Sequence, residues 1–163
     1  MQDDIAAVVR GIPALQGWAG AAQRLGGLTN RVYRLGEAIL RIPGEGTAEY
    51  IDRGNEAVAA EAAARAGVSP AVLHADPVSG VMVTRFIPDT VTMTPESFRL
   101  RPGAPGRAAL ALRQLHRSNE RFPARFELFA MIDDYLRILS GKDVALPEGY
   151  HAVVAEAGAV RAA

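Results

Sequence analysis

The residues able to do chemistry fall in three places. The first is Leu25-Gly26-Gly27-Leu28-Thr29-Asn30, a glycine pair followed by a hydroxyl and an amide. Glycine lets a backbone turn tightly and approach a ligand closely, and small polar side chains can add donors, so the stretch is a weak sign of an anion-holding loop. The second is Arg41, a lone cation inside the apolar run Ala38-Ile39-Leu40-Arg41-Ile42. The third is Glu56, near the start of an alanine-rich stretch. Taken alone, Arg41 reads as an exposed strand arginine and Glu56 as a surface glutamate.

Those residues need elements to hold them. Alternating apolar positions predict strands over residues 20–25, 31–35 and 38–42, the last two joined by a tight Gly36-Glu37 link. On the third strand Leu40 and Ile42 share one face and Ile39 and Arg41 the other, because side chains alternate along a strand. Asp52 to Ala66 reads as a helix capped by Asp52 and stopped by Gly67 and Pro70. Glu61 and Arg65 form an i,i+4 pair on its wet face. Glu56 lies about 140° round the helix from Glu61, at 100° per residue, and need not share that face. A short helix over residues 3–10 precedes the sheet, with an acidic first turn and Arg10 at its end. Two more strands are expected at 71–75 and 80–87. The short links favour antiparallel neighbours.

Residues 88–106 hold four prolines and are expected to connect rather than pack. Three helical stripes follow: Ala108 to Leu115, Leu128 to Leu139, and Tyr150 to Val160. The last two call for a covering surface, which points to self-association as one outcome. The fold class is therefore α+β: a five-stranded antiparallel sheet with one main helix, then a helical part.

Composition narrows the function. The chain has 163 residues, 18 basic and 18 acidic side chains, and no cysteine. There is no basic excess to bind nucleic acid. Disulfides, zinc–cysteine sites and thiol chemistry are excluded. The acidic start Met1-Gln2-Asp3-Asp4 is unlike a secretory signal, and no apolar run is long enough to span a membrane. A cytoplasmic protein is expected.

Taken in order, these segments resemble the choline/ethanolamine kinase family of the aminoglycoside-phosphotransferase superfamily, which has a protein-kinase-like fold. Gly26 to Tyr33 is similar to that family's nucleotide loop. Ile39-Leu40-Arg41-Ile42-Pro43-Gly44 is similar to its third strand, where arginine commonly replaces the kinase lysine. Ile51-Asp52-Arg53-Gly54-Asn55-Glu56, continuing to Gly67-Val68-Ser69-Pro70, resembles the helix whose glutamate pairs with that cation. Gly80 to Ile87 resembles the fifth strand and hinge, and Leu112-Arg113-Gln114-Leu115-His116 the end of the first large-lobe helix.

The resemblance implies a small lobe over 1–88 and a partial helical large lobe over 89–163. It implies that Gly27, Leu28, Thr29 and Asn30 cover a nucleotide triphosphate. Arg41, held by Glu56, would contact its phosphates, and the backbone of Arg85, Phe86 and Ile87 would meet adenine. The implied cofactors are ATP and Mg2+, and the implied acceptor is a small amino alcohol, with an aminoglycoside or thiamine as alternatives. A non-catalytic binding module is a further alternative.

Catalysis in such kinases needs an aspartate to take the hydroxyl proton, an asparagine, and a metal-binding acid. The family carries the first two in a histidine-x-aspartate-x4-asparagine loop. His74-Ala75-Asp76 begins that pattern, but Val81 stands where asparagine is required, so a strand-end histidine and a turn aspartate explain it better. His116 and His151 lack the aspartate. Asp133-Asp134 lies on a helix, where Asp133 is expected to pair with Arg137 at i,i+4. No catalytic or metal-binding residue is therefore assigned, and the 163 residues alone are expected not to transfer phosphate.

Overall fold

The computed structural model describes residues 2–27 and 29–162, apart from the side chains of residues 2–4 and 162. The chain divides into two compact units, Met1–Ala124 and Arg125–Ala163.

The first unit is built on a five-stranded sheet. Its strands are β1 (Gln23–Gly26), β2 (Asn30–Leu35), β3 (Ala38–Pro43), β4 (Val72–Ala75) and β5 (Met82–Arg85). Their order is β1-β2-β3-β5-β4, and every neighbouring pair is antiparallel. The expected alternation on β3 holds: Ala38, Leu40 and Ile42 are buried, while Ile39, Arg41 and Pro43 are half-buried. The register places Tyr33, Leu40 and Val83 side by side, so three adjacent strands present one apolar face. Helix α1 (Gln2–Arg10), a short 3-10 turn, Pro13–Leu15, and Ile12 between them cover that face, with Ile5, Val9 and Leu15 from the two elements. Leu40 and Val83 have 0% exposure.

The opposite face carries Arg41 and meets helix α2 (Arg53–Arg65). Asp52 caps α2 as the sequence predicts, its carboxylate accepting from the Asn55 N–H at 2.9 Å. At the far end, the Gln114 side chain donates to the Ala66 carbonyl at 2.7 Å. Arg65 and Glu120 form a bidentate pair there, with contacts of 2.7 to 3.1 Å.

The stretch after β5 is more ordered than its prolines suggest. It contains α3 (Pro95–Leu100), and α4 begins at Ala104 and runs to Arg117. Each helix has a proline in its first turn, where the missing N–H is not needed and the fixed φ suits helix entry. Thr94 and Ser97 close a reciprocal capping box on α3. These prolines start helices instead of breaking them.

The second unit contains α5 (Leu128–Ser140) and α6 (Tyr150–Ala162). The two apolar stripes partly meet: Ile132 and Leu136 of α5 and Val153 and Val154 of α6 line one cleft. Asp133 pairs with Arg161 at 2.5 Å, and Arg137 takes Asp134 at 3.0 Å. The expected Asp133–Arg137 pair is thus replaced, because the facing helix offers Asp133 a bidentate partner. Among the described residues, no helix is long and apolar enough to cross a membrane.

Candidate phosphate-binding site

Glu56 lies fifteen positions after Arg41 in the chain, yet Arg41 Nη1 is 2.9 Å from Glu56 Oε1. Strand parity turns Arg41 away from the core, and α2 lies across that same face with Glu56 in its first turn. Both side chains are about a quarter exposed, at 25% and 23%. Glu56 is therefore not the plain surface glutamate that the helix pattern allows. Arg41 Nε and Nη2 are buried and make no hydrogen bond among the described residues. Asn30 Oδ1 is in the same condition. The register puts Asn30 opposite Pro43 and Val32 opposite Arg41, so Asn30 and Arg41 share a sheet face.

The glycine loop lies at the end of this face. Gly27 adopts φ +115°, and a Cβ there would collide with the Asn30 carbonyl. Only glycine permits so tight a return of the chain into β2. Thr29 is exposed, and its carbonyl accepts from the Gly44 N–H at 3.0 Å. Leu28, expected as part of the same cover, lies outside the described residues.

Two polar residues of this neighbourhood escaped sequence reasoning. Arg53 and Thr47 are buried, at 7% and 4% exposure. Arg53 Nη1 donates to Glu56 Oε2 at 2.8 Å, and its Nη2 donates to Thr47 Oγ1. Thr47 Oγ1 in turn donates to the Gly44 carbonyl at 2.7 Å. The i,i+3 spacing of Arg53 and Glu56 was a usable signal for the first contact. Nothing local marked the burial, which depends on how the β4–β5 turn folds over the Arg53 stem.

Arranged this way, Arg41 is a permanently charged fork, braced on one nitrogen and with two others uncommitted. Such a fork has the chemistry to grip an oxyanion such as phosphate. A crystal structure of a choline/ethanolamine kinase family protein from Mesorhizobium loti matches this chain with a TM-score of 0.81 and 59% identity, over 99% of this chain and 53% of that one. The resemblance to the choline/ethanolamine kinase family is thereby shown. The choline kinase LicA from Streptococcus pneumoniae matches at a TM-score of 0.75 and 20% identity, over 95% of this chain and 54% of its own. LicA in complex with AMP gives 0.71 and 20%, over 91% and 52%. At that identity the LicA structures speak to the fold alone, which is that of the N-terminal part of a choline-kinase-like enzyme. The chain spans about half the length of the solved structures it matches. No protein-family model matches it, and no curated protein does.

The resemblance implies a hinge at residues 85–87; Arg85 is the last residue of β5, and Phe86 and Ile87 follow it. The Arg85 N–H donates to Ala71 and the Phe86 N–H to Glu37, at 2.9 and 2.8 Å. The Ile87 N–H has no such partner among the described residues, which makes it the free backbone donor of the three. The Phe86 ring carries the Arg34 guanidinium 3.7 Å above its centroid. Arg34 lies on the same sheet face as Arg41, so this cation–π pair borders the site.

Two acidic residues singled out by the sequence, Asp76 and Asp133, have protein partners. Asp76 accepts from Ser79 Oγ and the Val78 N–H, and these bonds hold its carboxyl below the usual range. Arg161 does the same for Asp133. Among the described residues, no three His, Asp or Glu side chains cluster as metal ligands would. The two unpartnered Arg41 nitrogens are donors of the kind an oxyanion accepts.

Proposed function

We propose that this chain is the nucleotide-binding part of an ATP-dependent phosphotransferase of the choline/ethanolamine kinase type, acting in the cytoplasm on the hydroxyl of a small amino alcohol. The observation that carries the reading is Arg41. One of its nitrogens is anchored by Glu56, two more are buried without a partner, and the Gly27 loop lies at the end of the same face. Phosphoryl transfer depends chiefly on positioning and charge neutralisation, and a braced arginine beside a glycine loop supplies both to a phosphate chain. Asn30 and Thr29 would cover the phosphates. Ile87 would offer its N–H to adenine, beside Arg85 and Phe86. The family name of the Mesorhizobium loti protein and the AMP bound by LicA support this direction. Mg2+, which accompanies ATP in such reactions, would be held by one or two carboxylates together with the phosphates, and no residue of this chain is assigned that role. No histidine-x-aspartate-x4-asparagine pattern occurs in these 163 residues, so the chain alone is expected to bind nucleotide without phosphorylating choline.

Calorimetric titration with ATP tests the reading. Arg41→Ala removes charge-assisted bonds worth roughly 1.5–3 kcal/mol, so ATP affinity falls about 10- to 100-fold while adenosine affinity holds. Equal ATP affinities for the two proteins would remove Arg41 from the phosphate site. Phosphocholine formed from ATP by residues 1–163 alone would refute the expected inactivity.

A further inference from the structure

We infer that Arg53 is a positioning residue for the phosphate site, holding Glu56, and through it Arg41, in register with the glycine loop. The inference rests on the phosphate-site reading of Arg41. It starts from an electrostatic oddity. Arg53 is the first residue of α2, where the helix dipole disfavours a cation, and it is also among the most buried charges described. Such a placement needs strong compensation. Three groups provide it. Glu56 takes one nitrogen at 2.8 Å, Thr47 Oγ1 takes another, and the turn at Gly80 is shaped around the stem. Gly80 has φ +73°, and a Cβ there would lie 2.6 Å from Arg53 Cδ and 2.7 Å from its Nε.

The contacts form one continuous path. Arg41 bonds one oxygen of Glu56 and Arg53 the other. The second nitrogen of Arg53 reaches Thr47, whose hydroxyl donates onward to the Gly44 carbonyl. A hydroxyl can accept and donate at once, so Thr47 passes the constraint along. The Gly44 N–H then holds the Thr29 carbonyl of the glycine loop at 3.0 Å. A carboxylate clamped from both sides cannot swing, and the guanidinium it braces keeps its heading. Lysine at position 53 would keep the charge but could not span Glu56 and Thr47 with a planar fork.

The test uses the full 163-residue chain and the variants Arg53→Lys, Thr47→Val and Arg41→Ala. ATP and adenosine affinities are measured by calorimetry, and the Arg41 Nε–H resonance is followed by NMR without ligand. Arg53→Lys should weaken ATP roughly tenfold, the scale seen when support behind a ligand-holding group is lost, and leave adenosine within about twofold. In an Arg41→Ala background it should add nothing, because its effect passes through Arg41. The Arg41 signal should broaden in both Arg53→Lys and Thr47→Val. A variant Arg53→Lys that melts lower but keeps wild-type ATP affinity and an unchanged Arg41 signal overturns the inference, as does an additive loss in the Arg41→Ala background. If Arg53→Lys does not fold, Thr47→Val decides: an unchanged Arg41 signal there overturns it. Failure of the wild-type chain to bind ATP would sink the functional reading instead, and the ligand-free Arg41 signal would still judge Arg53.

Discussion

Removing either partner of the Arg41–Glu56 pair deletes the same contact, yet the two changes should differ sharply in stability. Glu56→Ala strips both oxygens from two arginines, at 2.9 and 2.8 Å. Arg53, with a side chain only 6% exposed, is left buried with Thr47 as its remaining side-chain partner. Breaking a buried ion pair from one side costs about 3–5 kcal/mol, and the 23% exposure of Glu56 places this case near the lower end, about 3 kcal/mol. Arg41→Met loses one charge-assisted bond, worth about 1.5–3 kcal/mol, but also removes two buried donors that lack partners, each costing about 1–3 kcal/mol. These terms offset, and Glu56 keeps Arg53. The net change should stay within about 1 kcal/mol of zero. Urea unfolding followed by fluorescence measures both. Trp18 is the single tryptophan and packs against the sheet core, so it reports on the first unit. Equal losses for the two variants, or a larger loss for Arg41→Met, would refute the reasoning that Arg41 is held for a ligand and not for the fold.

Other perturbations give separate checks. Leu40→Ala empties a site of 0% exposure between Tyr33 and Val83 and should cost about 2–5 kcal/mol in urea unfolding. Gly80→Ala forces a side chain into φ +73° and against the Arg53 stem, so a loss of about 2–4 kcal/mol is expected; a neutral result would mean the turn can move aside. Hydrogen bonding to Arg65 lowers the Glu120 pKa below the usual glutamate range. A depressed folded-state value means that stability is present above the unfolded-state pKa and lost as pH falls through the folded one. The melting-temperature gap between wild type and Glu120→Gln should therefore close in acid, and a gap constant from neutral pH downward would count against the pairing.

The periodic elements were legible because their signals are local. β2 and β3 were placed to within a residue, and α2 with its Asp52 cap was read correctly. The first strand begins at Gln23, later than the expected residue 20, and α3 lies in a stretch expected only to connect, because a proline signals a break and a helix's first turn equally well. The site divides along the same line. Gly27 and the outward heading of Arg41 follow from a turn preference and strand parity, both written in a few consecutive residues. Arg53 was not legible, since its burial depends on Thr47 and on Gly80, which is 27 positions further along the chain.

The sequence by itself determined which face of β3 each side chain takes, where α2 begins, and that a glycine turn precedes β2. These depend on alternation, capping and φ, which act over two to four residues. Only the tertiary structure decided that Glu56 would be gripped by two arginines at once, that Arg53 would be buried, and that Asp133 would choose Arg161 over Arg137. Each choice compares partners brought close by the packing of separate elements, and pairing energies of charged groups are set by that distance and by the exclusion of water.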